Sequence, residues 1–229
     1  MDATKKPFKG DKKLPLRSPL ARIERRFIDA WTPRFPRWIE GYHLTLTTIL
    51  WSAGLILSGY LARGNLHWLW LASAMLFLQW FTDSFDGALG RYRDTGIPKW
   101  GYYMDHFLDF VFMASALAGY ALLVDGLHRT LLLVLIPIFG AFMVNSYLSF
   151  AATSEFKITF LGAGPTELRL ALIVLNTALI SFGTAWLKAA LPFVPPVAML
   201  VVAVVVCRTQ KYIWRIDMED KRQRRPTAP

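Results

Sequence analysis

Cysteine is nearly absent from this sequence, and its scarcity excludes two structural features. Cys207 is the single cysteine among 229 residues, so neither a disulfide framework nor a thiolate metal site can form within the chain. Histidines are few and do not cluster, and there is no internal repeat and no low-complexity tract. Because Cys207 ends an apolar run, we expect it to be a packing residue.

Acidic residues are scarce relative to basic ones, with 16 Asp and Glu against 26 Lys and Arg, which gives a formal charge of +10. A basic chain can bind nucleic acid, but here the basic residues flank apolar runs and no aromatic RNA-binding motif is visible. Contact with anionic membrane lipids explains the same charge. We therefore expect membrane lipids, and no nucleic acid, as partners.

Long polar stretches are also lacking between residue 41 and Cys207. The chain is 54% hydrophobic, contains nine tryptophans and has a positive mean hydropathy, which is too apolar for a soluble domain. Runs of about 20 apolar residues indicate transmembrane helices. The sequence predicts an all-α integral membrane protein with six transmembrane helices, at Leu44 to Leu61, Trp68 to Phe85, Tyr102 to Val124, Leu131 to Ala151, Leu168 to Leu187 and Leu191 to Cys207.

The basic residues predict the orientation of these spans. Of the 26 Lys and Arg, 11 precede Gly41 and 7 follow Cys207, so both termini are expected on the cytoplasmic side, as an even number of spans requires. Five interior basic residues then fall in or beside inner loops: Arg91, Arg93, Lys99, Lys157 and Arg169. The outer loops keep three: Arg63, Arg129 and Lys188.

The first 40 residues are polar and basic and lack the short apolar core of a secretory signal. The predicted organisation is a disordered basic tail at 1–17, an amphipathic juxtamembrane helix at 18–40, a six-helix membrane catalytic domain at 41–210 and a basic cytoplasmic tail at 211–229. Within the second segment one face carries Leu20, Ile23, Phe27 and Trp31, opposite Arg22, Arg25 and Arg26. Such a helix lies on the inner membrane surface, although packing against the protein fits the same periodicity.

An acidic cluster lies in the stretch from Phe81 to Phe110. Asp83 and Asp86 are three residues apart, and Asp105 and Asp109 are four apart, so each pair shares one face of its helix. Carboxylates held together near a membrane repel one another and are costly to bury, which indicates a compensating cation. Oxygen ligands alone favour Mg²⁺ or Mn²⁺. The sequence therefore predicts a metal site formed by these four aspartates.

Glycines and an arginine accompany the carboxylates. Gly87, Gly90 and Gly101 would allow a ligand close to the backbone, and the Arg91 guanidinium suits a diphosphate. The alternative is that the aspartates are interfacial residues that pair with nearby basic side chains. That alternative does not explain why paired carboxylates occur on two successive spans among glycines.

These residues resemble the signature of the CDP-alcohol phosphotransferases, the class I CDP-alcohol phosphatidyltransferase family. That signature is D-x-x-D-G-x-x-A-R, a spacer of usually eight residues, then G-x-x-x-D-x-x-x-D. Here the pattern runs from Asp83 to Asp109, and the six-span topology is similar too. Two departures are visible: Gly90 stands in the alanine position, and nine residues separate Arg91 from Gly101.

The resemblance implies an enzyme of phospholipid biosynthesis that transfers a substituted phosphate group from a CDP-alcohol to an acceptor alcohol and releases CMP, with at least one lipid substrate. Two Mg²⁺ or Mn²⁺ ions would be held by Asp83, Asp86 and Asp105, with Asp109 also near the metals and acting as the base. It further implies a homodimer. The topology predicted from the basic residues places the active site on the cytoplasmic side, and we expect a bacterial inner membrane.

For the nucleotide, the resemblance implies a pocket shaped by Gly87, Gly90, Arg91 and Gly101. Thr45 is a further candidate, because it ends "GYHLT" where family members often read "PNxxT". The Pro-Asn pair is missing here. A threonine in a membrane helix can instead bond its own backbone.

Two local features favour one substrate branch. His106 in "DHFLD" resembles the "DHGCD" of choline and ethanolamine enzymes, and Glu167 in "GPTELR" resembles their "GPxE". Both are therefore candidate catalytic residues that would deprotonate diacylglycerol, although an interfacial histidine and a first-turn glutamate fit the same positions. The alternative branch joins CDP-diacylglycerol to a small polar alcohol. The stretch "NSYLSFAATSEF" lacks the arginine that phosphate-bearing acceptors often meet near this point in the family, and the resemblance therefore argues against such an acceptor.

A cation- or proton-coupled transporter is the alternative outside the family, because intramembrane carboxylates also form ion paths. A transporter would be expected to place carboxylates near the middle of the bilayer or across several spans. Here they crowd one end of two spans, beside glycines and Arg91. The distribution favours the transferase.

Overall fold

The computed structural model of the chain describes residues 19–153 and 165–223, and no strand occurs within them. Its α-helices in chain order are α1 Pro19–Trp31, α2 Gly41–Ala62, α3 Leu69–Arg93, α4 Pro98–Ala121, α5 Gly126–Thr153, α6 Pro165–Phe182, α7 Ala185–Ala190 and α8 Val194–Gln223. Short 3₁₀ turns lie at Thr32–Arg34, Leu66–Trp68 and Leu191–Phe193. The all-helical prediction is confirmed for these residues, whereas the predicted tail at 1–17 lies outside them.

Four helical segments are long and apolar enough to cross a membrane, judged by length and composition. They are Gly41–Ala62, Gly126–Thr153, Pro165–Phe182 and Ala185–Gln223. Helices α3 and α4 cover the other two predicted spans, but they carry the acidic cluster and the arginines near it. The six-span topology therefore stays a prediction.

Several predicted boundaries differ from the observed ones. The fifth predicted span continued to Leu187, but α6 ends at Phe182, because Gly183 adopts a left-handed conformation with φ of 73° and stops the helix. Leu187 lies in α7. Helix α8 continues to Gln223, through much of the segment predicted as a tail. Cys207, expected to be a packing residue, is exposed on α8.

Helix α1 ends at Trp31, well before residue 40, and the 3₁₀ turn after it contains Pro33. The helix packs on α3: the Phe27 ring lies 5.8 Å from the Phe85 ring and 6.2 Å from the Trp80 ring, centroid to centroid. Ile23, assigned to the same apolar face, is 67% exposed. Contact with the protein accounts for part of the apolar face, and contact of the helix with the membrane surface stays a prediction.

The remaining helices form a bundle in which α2 lies between α3 and α4, α3 also contacts α6, and α5 contacts α4 and α8. Two glycines bring the backbones of α2 and α4 together. A Cβ atom on Gly59 would overlap the carbonyl group of Gly119, and one on Gly119 would lie 2.8 Å from the carbonyl oxygen of Leu55. Because only glycine permits this approach, the crossing fixes α2 against α4.

A buried polar network joins the three helices that position the acidic cluster. The Tyr120 hydroxyl on α4 donates to Oδ1 of Asn176 on α6 at 2.7 Å, and Nδ2 of Asn176 donates to the Ser73 hydroxyl on α3 at 3.0 Å. Asn176 is fully buried, so its amide would be costly to leave without partners. The network therefore fixes α3, α4 and α6 relative to one another.

Candidate active site

Three of the four predicted metal ligands meet between α3 and α4. Asp83, Asp105 and Asp109 each offer one carboxylate oxygen, and these three oxygens lie within 4.8 Å of one another. The three residues are partly buried. Like charges at this distance repel, and a divalent cation with oxygen ligands relieves that repulsion. The three side chains could therefore hold a metal ion.

Asp86, the fourth predicted ligand, is held from the side of α2. Its Oδ2 accepts a 2.7 Å hydrogen bond from the Thr45 hydroxyl, and its Oδ1 accepts one from the Gly87 backbone N–H. The first residue of α2 also touches this point, since a Cβ atom on Gly41 would overlap the carbonyl group of Asp86. Thr45, predicted as a nucleotide contact, therefore orients an aspartate.

The residues predicted to shape the nucleotide pocket have different surroundings. A Cβ atom on Gly87 would lie 3.0 Å from Nη1 of Arg91, so the guanidinium covers that glycine. A Cβ atom on Gly90 would lie 3.1 Å from Cα of Gly96. At Gly101 a Cβ atom would have no atom of the described residues within 4 Å. Gly101 therefore leaves space beside Asp105, one turn further along α4.

The longer spacer forms a compact turn after α3. Asp94 adopts the left-handed conformation with φ of 57°, and the Thr95 backbone N–H donates to the carbonyl of Gly90 at 3.1 Å. The Thr95 hydroxyl donates to Oε2 of Glu40, just before α2, at 2.6 Å. The turn between α3 and α4 is thus tied to the start of α2, which also carries Thr45.

Arg93 strengthens this connection. Its guanidinium donates to the carbonyls of Phe35, at 2.9 Å, and Pro36, at 3.0 Å, and also to that of Ile39. A single cation therefore holds the segment between α1 and α2 against the end of α3. That segment fixes where α2 begins, and thereby the position of Thr45 relative to Asp86.

His106 lies beside the carboxylate group. Its Nδ1 is 3.6 Å from Oδ2 of Asp105, and its ring lies 4.2 Å from the Tyr102 ring and 5.1 Å from the Tyr147 ring, centroid to centroid. The Tyr147 hydroxyl donates to the His106 carbonyl at 3.0 Å. The aromatic rings limit how the imidazole can move, so it stays near Asp105.

Glu167 lies in the first turn of α6, next to two residues that contact other parts of the bundle. Thr166 donates to Glu24, and Nη2 of Arg169 donates to Oδ2 of Asp83 at 2.8 Å. The first turn of α6 is therefore close to α3 at the level of the aspartates, which brings Glu167 to the same end of the bundle.

Sequence reasoning missed three polar residues of this region: Glu24, Gln79 and Arg169. Nε2 of Gln79 lies 3.4 Å from Oδ1 of Asp109, within hydrogen-bond distance. Arg169 was noted only as an inner-loop charge, although it forms an ion pair with Asp83. Glu24 contacts α3 and α6. Spacing along the chain gives no signal for these contacts, because each joins separate helices.

The fold and the site together define a helical protein with segments long and apolar enough to span a membrane and a carboxylate cluster that could hold a metal ion. A family model described as CDP-alcohol phosphatidyltransferase matches residues 42–207, and the chain belongs to that family. No curated protein and no solved structure matches the chain. Family membership makes the chain an integral membrane transferase of phospholipid synthesis.

Proposed function

We propose that this protein transfers a substituted phosphate group from a CDP-alcohol to the hydroxyl of an acceptor alcohol and releases CMP in a metal-dependent reaction. The observation that carries the proposal is the grouping of Asp83, Asp105 and Asp109, whose carboxylate oxygens lie within 4.8 Å of one another, inside the region that matches the family. A transferase of CDP-alcohols needs a site for a diphosphate, and a metal held by carboxylates provides one.

The side chains present fit Mg²⁺ or Mn²⁺. They offer carboxylate oxygens, and the described residues around them add no thiolate. Oxygen donors without sulfur are the ligands that hard divalent cations prefer. We expect Asp83, Asp105 and Asp109 to hold the ions, two as in the family, and Asp86 to complete the set. When bound, such ions would offset the charge of the diphosphate and of the phosphate being transferred.

The reaction is a displacement at the phosphorus that bears the alcohol. The acceptor oxygen forms a new bond to that phosphorus, the bond to the bridging diphosphate oxygen breaks, and CMP leaves with the bonding electron pair. Asp109 accepts the proton of the attacking hydroxyl. Gln79, at 3.4 Å from Asp109, orients this carboxylate, and no covalent enzyme intermediate is needed.

The nucleotide is bound by Arg91 and by the open backbone at Gly101, and Gly87 and Gly90, which lie against Arg91 and Gly96, complete the predicted pocket. The Arg91 side chain covers Gly87 and can turn toward a diphosphate, which its planar donors suit. The space beside Gly101 would admit the pyrimidine or the phosphates next to Asp105. Thr45 contributes by holding Asp86.

For the substrates we favour a CDP-aminoalcohol as donor and diacylglycerol as acceptor. The support is the position of His106, whose Nδ1 is 3.6 Å from Asp105, and of Glu167 at the same end of the bundle. A His and a Glu so placed could together deprotonate the hydroxyl of a lipid acceptor. The alternative within the family is CDP-diacylglycerol with a small polar alcohol.

The remaining expectations concern the setting of the enzyme. We expect a bacterial inner membrane, both termini and the active site on the cytoplasmic side, and a homodimer as in the family. The water-soluble CDP-alcohol would then reach the site from the cytosol. The orientation rests on the distribution of basic residues.

The test is a substrate panel with purified protein in lipid vesicles. CDP-choline, CDP-ethanolamine and CDP-diacylglycerol would each be combined with diacylglycerol, serine, glycerol phosphate and inositol phosphate in Mg²⁺, and CMP measured. We expect CMP only with a CDP-aminoalcohol and diacylglycerol. Release with CDP-diacylglycerol and a polar alcohol would select the other branch, and no release with any pair would contradict the proposed function.

A further inference from the structure

One oxygen of Glu24 joins three helices. Glu24 lies on α1, and its Oε1 accepts hydrogen bonds from Nε1 of Trp80 at 2.8 Å, from the Ser84 hydroxyl at 3.3 Å and from the Thr166 hydroxyl at 3.3 Å. Trp80 and Ser84 belong to α3, and Thr166 belongs to α6. A carboxylate with three donors is a strong and directional connection.

The contacts of Glu24 with Ser84 and with Thr166 both lie close to Asp83. Ser84 directly follows Asp83 on α3. Thr166 lies one helical turn before Arg169, whose Nη2 is 2.8 Å from Oδ2 of Asp83. Glu24 therefore holds the first turn of α6 against the part of α3 that carries Asp83, and these two segments present the ion pair at the carboxylate site.

The packing of α1 makes the position of Glu24 well defined. Phe27, one turn after Glu24, stacks on Trp80 and meets the edge of Phe85, and the Thr32 hydroxyl near the end of α1 donates to the Ile28 carbonyl at 2.7 Å. The α1 backbone is thus fixed on α3, and the carboxylate extends from it toward α6.

We propose that Glu24 is a positioning residue for the active site, which acts by holding the first turn of α6 on α3 so that Arg169 orients Asp83. The inference rests on the proposed function, because it gives a role in that site to a residue of the N-terminal helix. It links a helix outside the matched region, residues 42–207, to the chemistry within that region.

The geometry makes it possible to separate the effect of the position of the Glu24 oxygen from the effect of the Glu24 charge. The shortest bond from each of the three donors goes to the same oxygen of Glu24, so a glutamine can supply the same acceptor with its carbonyl. Glu24→Gln should therefore keep the connection, and Glu24→Ala should lose it. Asp29→Ala is the matched control, because Asp29 is an exposed carboxylate on the same helix.

The experiment is a double-mutant cycle between Glu24→Ala and Arg169→Gln, with two measurements on purified full-length protein. The first is the rate of CMP release. The second is the Mn²⁺ dissociation constant, obtained from the electron paramagnetic resonance signal of free Mn²⁺, and it needs no turnover. Loss of a residue that orients a metal ligand typically costs about 10-fold to 100-fold.

We expect Glu24→Ala to lower CMP release roughly 10-fold, at the low end of that range because Glu24 acts through intervening residues. In the Arg169→Gln background the same change should cost less than about twofold, since the pair it supports is already gone. The Mn²⁺ dissociation constant of the double variant should equal that of Arg169→Gln. Glu24→Gln and Asp29→Ala should match the parent protein.

If the two effects multiply, if Glu24→Gln is as impaired as Glu24→Ala, or if the Mn²⁺ constant is unchanged in Glu24→Ala, the inference is overturned. Should Glu24→Ala not fold, Thr166→Val removes one donor with little change of shape and enters the same cycle. A parent protein that binds Mn²⁺ with the expected coupling but releases no CMP would contradict the proposed function alone. A parent that binds no Mn²⁺ would overturn the inference.

Discussion

The Thr45 hydroxyl on α2 donates a 2.7 Å hydrogen bond to Oδ2 of Asp86 on α3, across 41 positions of sequence. The same hydroxyl lies 3.3 Å from the Gly41 carbonyl of its own helix. A hydroxyl has one hydrogen to donate, so the shorter bond to Asp86 takes it and the contact with the backbone carbonyl is secondary. Asp86 is oriented by α2, whereas the other three aspartates face one another between α3 and α4.

We predict that Thr45→Val lowers CMP release about 10-fold or more, because a hydrogen bond to a charged group contributes about 1.5–3 kcal/mol and each 1.36 kcal/mol is tenfold in rate. Thr45→Ser keeps the hydroxyl and serves as the control. Steady-state CMP release in vesicles measures both. Equal rates for the valine and serine variants would show that the bond to Asp86 is not needed.

The orientation of the chain predicts which positions are open to the outside. In a Cys207→Ser background, a membrane-impermeant thiol reagent added to intact cells should label cysteines placed at Asn65 or Asp125, and should not label one at Lys99. All three positions are exposed, so protein packing does not protect them. Permeabilised cells, in which every site should react, are the control. Labelling of Lys99→Cys alone would invert the topology.

The crossing of α2 and α4 predicts a defined loss of stability. Gly59→Ala should lower the free energy of unfolding by about 1–3 kcal/mol, the typical cost of overpacking, since an added methyl group there meets the backbone of Gly119. Gly64→Ala is the control, because the nearest described atom would be 3.8 Å away. Thermal unfolding in detergent measures both. Identical melting curves would contradict this packing.

His106 and Glu167 provide the test of the favoured substrate branch. If they help to deprotonate diacylglycerol, His106→Ala and Glu167→Gln should each slow transfer about 10²-fold to 10⁴-fold, while binding of the CDP-alcohol, measured by calorimetry, changes little. His128→Ala, at the start of α5, controls for loss of an imidazole. Turnover near that of the parent in both variants would show that His106 and Glu167 have structural roles only, and would favour CDP-diacylglycerol with a polar acceptor.

Helical spacing places such residues on common faces, so the sequence predicted one metal site of four aspartates, Asp83, Asp86, Asp105 and Asp109. Three of them, Asp83, Asp105 and Asp109, lie together. Residues three apart on a helix differ by roughly 60° around its axis, so Asp83 can face α4 while Asp86 turns toward Thr45 of α2. Which neighbour each aspartate meets depends on how the helices pack, and spacing along one helix does not contain that information.

The contacts that sequence reasoning missed join residues far apart in the chain. Arg169 and Asp83 are 86 positions apart, and Thr166 and Glu24 are 142 apart. The end of α6 is a different case. Gly183 is a residue type that often ends a helix. The apolar residues after it continued the run to Leu187, and hydropathy alone does not show where a helix ends.

The central claim is that the aspartates form a metal-dependent active site, and the most direct measurement is CMP release by four single variants. Asp83→Asn, Asp86→Asn, Asp105→Asn and Asp109→Asn keep side-chain size but remove a charge that a divalent cation needs. Each should lose CMP release while eluting as folded protein, and chelation with EDTA should abolish release by the parent until Mg²⁺ or Mn²⁺ is restored. Full activity of any one variant in EDTA would contradict the account.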